Sequence, residues 1–161
     1  MTATLSDTFT MTMPSDREIQ LTRLFNAPRD LVFKAMTSCE HISKWLGPRS
    51  LTMVSCEMDF RPGGSYRYVH RSADGSEFGF HGEVREIDPP RRVVQTFEFE
   101  LMPGHISVET LTLEEVDGKT KLTVRSLFSS TEDRDGMASS GMEAGVRDSY
   151  DRLEEYLPTL A

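Results

Sequence analysis

Residues 131–157, TEDRDGMASSGMEAGVRDSYDRLEEYL, decide how the rest of the chain is arranged. At 3.6 residues per turn, Ala138, Gly141, Met142, Gly145, Val146, Ser149, Leu153, Tyr156 and Leu157 share one face. Glu143, Arg147, Asp151 and Glu154 fall on the other, so the stretch predicts one long amphipathic helix. Ser130 stands where an N-cap belongs, with Asp133 three residues on and acids in the first turn, and Pro158 marks the stop. The inner face is thin in its first half, where it carries Ala138, Gly141, Gly145 and Ser149. It is thick in its second half, at Leu153, Tyr156 and Leu157. A glycine inside a helix is about 1 kcal/mol less favourable than alanine, so Gly141 and Gly145 need a reason. Either the helix approaches another backbone closely, or it leaves volume beneath it for a ligand.

A helix this long needs an apolar surface to cover, and the preceding chain supplies one. Residues 17–26, REIQLTRLFN, alternate Ile19, Leu21 and Phe25 against Gln20 and Thr22, the pattern of a strand with one buried face. Pro28 opens a short helix over RDLVFKAM, Ser38 caps a second, and Gly47-Pro48 ends it after Trp45 and Leu46. From Leu51 the period is two for about eighty residues, broken only by turn residues. Ala73-Asp74-Gly75 suits a three-residue hairpin loop, which pairs His70 with Phe78, Tyr68 with Phe80 and Tyr66 with Gly82, and Arg71 with Glu77 on the opposite side. Val93, Phe97, Phe99 and Leu101 form one side of the next strand. Asp117-Gly118 is a two-residue hairpin signal that pairs Leu113 with Leu122 and Leu111 with Val124. The predicted fold class is α+β, in the order strand, two short helices, six antiparallel strands and a long C-terminal helix that covers the sheet.

The chain has 161 residues, enough for one domain with one substantial core. Residues 1–15, rich in Thr, Ser and Met, are expected to be a flexible tail, with a single domain over 16–161. Neither a spanning apolar run nor a signal peptide is present, which predicts a soluble cytoplasmic protein with no membrane partner. The formal net charge of −8 argues against nucleic acid and anionic lipid. Cys39 and Cys56 lack metal-type spacing and make no disulfide framework, so both are expected to be reduced.

Several stretches together resemble a known family. FNAPRDLVFKAMT, the Trp45-Leu46-Gly47-Pro48 end of the second helix, the DFRPGG turn, GEVREIDPPRRVV and the C-terminal helix are similar to the C-terminal domain of the activator of the heat-shock chaperone ATPase. That family lies within the START-like (SRPBCC) superfamily, whose helix-grip fold has the order β-α-α-β6-α. The resemblance covers about residues 17 to 157. Many relatives carry two tryptophans where this chain has Trp45 and Leu46, and a tryptophan where it has Val146, changes that alter a pocket's shape rather than the fold. The resemblance implies a sheet curved around the long helix and a cavity between them that holds an apolar or aromatic small molecule. Tyr66, Tyr68, His70, Phe78, Phe80, Phe97, Phe99 and Leu111 would then be its walls. Ala138, Gly141, Met142 and Gly145 would lie above, with Trp45 near one end. Taken singly, each ring is more simply explained as core packing.

Catalytic motifs are missing: the chain has no GxSxG elbow, HExxH, P-loop or GxGxxG before a helix. No cofactor or metal is expected, since His41, His70, His81 and His105 have no ligand spacing. His41 and His105 are expected at the surface, His81 outward beside Arg67, and His70 inward with the rings. Glu109 has two readings. With a three-residue turn at Pro103-Gly104, Phe97 faces Leu111, Phe99 faces Glu109 and the carboxylate points inward, where it must be paired, hydrated or protonated. A bulge between Val108 and Leu111 would instead turn it out. The function these residues favour is a non-enzymatic carrier or sensor of a small apolar or aromatic ligand. The alternatives are a cyclase or hydratase using His70 and Glu109, and a domain that contacts a chaperone through its acidic helix face.

Overall fold

The alternating stretches fold into one eight-stranded antiparallel sheet. A computed structural model of the protein describes residues 8–160. The strands are β1 (Thr10–Thr12), β2 (Glu18–Phe25), β3 (Thr52–Met58), β4 (Ser65–Arg71), β5 (Glu77–Asp88), β6 (Arg92–Phe99), β7 (Ile106–Val116) and β8 (Lys119–Leu127). Their spatial order is β1-β2-β8-β7-β6-β5-β4-β3. Helices α1 (Arg29–Met36) and α2 (Cys39–Trp45) separate β2 from β3; α3 (Thr131–Ala138), α4 (Met142–Tyr156) and a 3-10 turn (Leu157–Leu160) end the chain. This is the helix-grip arrangement, an α+β fold in which a curved sheet holds a C-terminal helix.

The hairpin registers follow the turn chemistry. His70, Tyr68, Tyr66 and Arg71 stand opposite Phe78, Phe80, Gly82 and Glu77. Leu113 pairs with Leu122 and Leu111 with Val124, across a turn where Asp117 and Gly118 both take the positive φ that a two-residue hairpin requires. The β6–β7 register differs from expectation. Phe97 faces Ser107, Gln95 faces Glu109 and Val93 faces Leu111. The connection is longer than a three-residue turn, so the pairing moves by four residues, and Leu101 leaves the strand to stand exposed at its tip. A shift of four preserves side-chain parity. Glu109 therefore still points inward.

Four further expectations are corrected. The N-terminal tail is ordered from Phe9, which is buried, and Thr10–Thr12 pairs with Gln20, Leu21 and Thr22; residues 1–7 of that tail lie outside the described residues. The C-terminal helix is two helices rather than one. Ser130 caps α3 by accepting from the Asp133 N–H at 3.0 Å, but the chain breaks at 139–141, and Gly141 takes φ +85° as the N-cap of α4. The physical reason for Gly141 is thus a left-handed backbone, which neither of the two readings offered for it included. Cys39 and Cys56 are joined by a disulfide between the start of α2 and β3; two cysteines far from a framework in number still meet when α1 and α2 return the chain to the sheet edge. His41 is buried, its Nδ1 2.7 Å from the Tyr156 hydroxyl, whereas His105 is exposed beside Asp133.

The core concentrates under the second half of α4. Ser149, Tyr150, Leu153 and Leu157 are buried there against Phe25, Ile42 and Trp45, and each fully buried apolar side chain contributes about 1.5–3 kcal/mol. The α2–β3 loop is tied to α4 by hydrogen bonds. The Gly47 N–H donates to the Ser149 hydroxyl at 3.0 Å and Arg152 donates to the Gly47 carbonyl at 2.8 Å. Val146 and Met142, one and two turns earlier on the same face, are only half-buried. No described helix is long and apolar enough to cross a membrane.

Candidate functional site

The candidate site lies between the first half of α4 and the inner surface of the sheet. On the sheet side, parity sends Phe78 and Phe80 of β5, Gln95, Phe97 and Phe99 of β6, and Ser107, Glu109 and Leu111 of β7 to the inner surface. The rings gather into one row: Phe80 stacks on Phe99 at 5.0 Å and on Phe97 at 5.6 Å, and Phe78 lies 6.5 Å from Phe99. All four remain half-buried and stand apart from the contiguous core. On the helix side, a methyl group added at Gly145 would meet no atom within 4 Å. This glycine is not pressed against a neighbouring backbone.

Tyr66 and Tyr68 of β4 continue the inner wall with ring centres 5.1 Å apart. Both hydroxyls are held above their ordinary pKa, first by burial and then by Glu109. Tyr66 donates to the Thr96 carbonyl, closing that part of the wall. Tyr150 reaches the same region from α4; burial, followed by Glu109, raises its pKa too. Among the described residues the Tyr68 and Tyr150 hydroxyls have no hydrogen-bond partner, and neither is one of the sealed polar atoms. Glu109 sits at the focus of these three phenols. Gln95 donates to it at 3.3 Å, and Ser126 stands opposite it on β8. Desolvation nonetheless dominates and raises its pKa. The residue is only half-buried by area, although protein surrounds it.

The remaining candidates fall elsewhere. Trp45 is 2 % exposed and donates from Nε1 to the Ala35 carbonyl at 2.9 Å, with its ring 6.4 Å from that of Tyr150. His70 is buried against Phe80, 5.8 Å between rings, and against Gly47, whose φ is +94° and where an added Cβ would come within 2.6 Å of the imidazole. Burial, then Arg152, lowers its pKa, and its Nδ1 lacks a partner. His70 and Glu109 share no bond and neither perturbs the other, so the structure does not bring them together. Ala138 and Gly141 edge an open depression with Ala144, Arg147, Asp148 and Asp151, on the face of α4 opposite its buried one. Met142 keeps to the inner face. No cluster of His, Cys, Asp or Glu able to hold a metal ion occurs among the described residues.

Arg23, Gln95, Ser107, Ser126 and Tyr150 are inward polar residues that went unread in the sequence. Arg23 is 2 % exposed on β2 between Leu21 and Phe25 and pairs with Asp151 of α4 at 2.7 Å. Gln95 lies between Val93 and Phe97, and Ser126 follows Leu122 and Val124, so parity alone marks these strand residues as inward.

The comparisons with known proteins agree with the fold. The family model of the Activator of Hsp90 ATPase homolog 1-like protein matches residues 26–158. The chain belongs to this family. A solved structure from Rhodobacter sphaeroides superposes with TM-score 0.87 at 26% identity, covering 95% of this chain and 99% of that one. One from Staphylococcus epidermidis gives TM-score 0.77 at 27% identity, covering 94% and 95%. An AHSA1 protein from Silicibacter pomeroyi, at 21% identity and TM-score 0.74 over 89% and 99% of the two chains, shares the fold. No curated protein matches.

Proposed function

We propose that this AHSA1-type domain binds a small apolar or aromatic molecule between the middle of the sheet and the first turns of α4, as a carrier or sensor. One observation carries the reading: Phe78, Phe80, Phe97 and Phe99 point to the inner side and stack on one another, yet remain half-buried and outside the main core. A row of rings in that state forms a wall with its partner missing, because a packed core closes over its aromatics. The open volume beside Gly145 and the unpaired Tyr68 and Tyr150 hydroxyls support the same reading.

Titration with a panel of aromatic and fatty compounds, followed through Trp45 fluorescence, tests it. Trp45 neighbours Tyr150, so a ligand that reorients Tyr150 changes its emission. Native mass spectrometry of protein from its own host should show a co-purifying small molecule. Silence in both experiments would end the reading. The family match favours one other function, contact with a chaperone ATPase, for which stimulation of that ATPase by the purified domain is the direct assay. Carrier and chaperone contact are separable, because ring substitutions at Phe80 and Phe97 should affect the first and leave the second unchanged.

A further inference from the structure

Among the polar groups of the inner wall, Glu109 is the carboxyl without a cation. From β6 it receives the Gln95 amide at 3.3 Å, Ser126 of β8 stands opposite it, and its charge is felt by the hydroxyls of Tyr66 and Tyr68 of β4 and Tyr150 of α4. Arg23 also lies on the inner face, but its charge is taken by Asp151 at 2.7 Å and its guanidinium lies 5.1 Å from the centre of the Phe25 ring. No arginine, lysine or histidine acts on Glu109. Leaving a carboxyl desolvated and uncompensated is unfavourable for folding alone, and Gln at this position would keep the same hydrogen bonds without that penalty.

We propose that the ligand is an amine, with its cationic nitrogen against Glu109 and its apolar remainder along Phe80, Phe97 and Phe99. This rests on the reading of the space as a ligand site. Each part of the wall complements a cation. The carboxylate supplies the opposite charge; the unpaired Tyr68 and Tyr150 oxygens can accept N–H donors; and aromatic faces attract a positive charge through their quadrupoles. The overall charge of −8 favours approach of a cation and disfavours an anion. A neutral ligand with a carbonyl head would need Glu109 protonated, so the two classes differ in their proton balance. The incoming ammonium ionises Glu109, and the displaced proton goes to solvent. A carbonyl head holds that proton in place.

The probes are 2-phenylethylamine, its neutral counterpart 2-phenylethanol, and phenylacetone. Calorimetric titration in two buffers of different ionisation enthalpy counts protons, and the Glu109→Gln variant, its fold checked by circular dichroism, is titrated alongside. The amine should bind at least about tenfold tighter than the alcohol, with net proton release at a pH where Glu109 is protonated, and the ratio should fall to about one in Glu109→Gln. Equal binding of amine and alcohol, tighter binding of the ketone, or a preference that survives in Glu109→Gln overturns the amine assignment and leaves the ligand site standing. Failure of all three probes, with silence across the broader panel, overturns both.

Discussion

Two glycines nine or more residues inside the last 27 of the helical segment, Gly141 and Gly145, should respond to alanine with opposite signs. Gly145 is within α4, its N–H bonded to the Gly141 carbonyl at 3.3 Å, and a methyl placed on it meets nothing within 4 Å. Gly145→Ala therefore gains helix propensity, about 1 kcal/mol, with no steric loss. Gly141 also has open space around it, but its φ of +85° is one that an L-residue adopts at a loss of about 1–2 kcal/mol. In a domain of this size 1 kcal/mol moves the midpoint of thermal unfolding by about 2–4 °C. Gly145→Ala should thus raise Tm by about 2–4 °C and Gly141→Ala lower it by about 2–8 °C, read by scanning calorimetry at one pH. A loss of stability in Gly145→Ala would mean that the helix lies flush on a neighbour and that the hollow is not there. A gain in Gly141→Ala would mean that the helix runs unbroken through 139–141.

Burial raises the Glu109 pKa, so its linkage runs opposite to that of a salt-bridged acid. Below the unfolded value of about 4.3 the group is protonated in both states; as pH rises past it only the unfolded chain ionises, and stability falls until the folded pKa is passed. Urea midpoints from pH 4 to 8 should show this fall flattened in Glu109→Gln; parallel curves would place the carboxyl in solvent. Replacing both Cys39 and Cys56 with Ser removes a cross-link across 17 positions, a loss of about 3 kcal/mol on the chain-entropy account. Two titratable thiols in the native protein without reductant would rule out the bond, and because disulfides persist chiefly in oxidising compartments, the same titration bears on where the protein resides. Asp151→Ala leaves the buried Arg23 guanidinium without its counter-charge and should lower stability by about 3 kcal/mol, whereas Arg23→Met with Asp151→Asn should recover most of it; equal loss in both would show that packing, not charge, is what the pair supplies.

The parts of the fold that the sequence made legible are those set by local chemistry with a two-state outcome. Asp117-Gly118 and Ala73-Asp74-Gly75 fix hairpins because few backbones suit those residues, and every cross-strand pair read from them is observed. Parity survives even where register does not. The β6–β7 pairing moved by four residues, and Glu109 stayed inward because four is even. Contacts that depend on where distant elements arrive were not legible. The Cys39–Cys56 bond, the burial of His41 under Tyr156, and the pairing of Thr10–Thr12 with β2 all need the path of α1, α2 and the C-terminal helix. The helix break had a visible signal, Ser139-Ser140-Gly141, which a wheel averaged over the whole segment conceals.

The site was half legible for a related reason. Alternation was used to find apolar residues, and it finds polar ones equally well: Arg23, Gln95 and Ser126 occupy inward positions between or beside Leu21, Phe25, Val93, Phe97 and Val124. Applied to every residue, parity puts an arginine, an amide, a hydroxyl and a carboxyl on one inner surface before any coordinates are known. Only Arg23 has a charged partner there, Asp151 on the helix. A fold needs no carboxyl at position 109, since Leu111 and Leu113 hold β7 to the core without it, and the hydrogen bond from Gln95 does not offset its desolvation. A group that weakens the folded state, beside half-buried rings and unpaired phenols, is what the proposed ligand would account for. That is why the amine titration, rather than any measurement of stability, is the experiment on which the role of Glu109 turns.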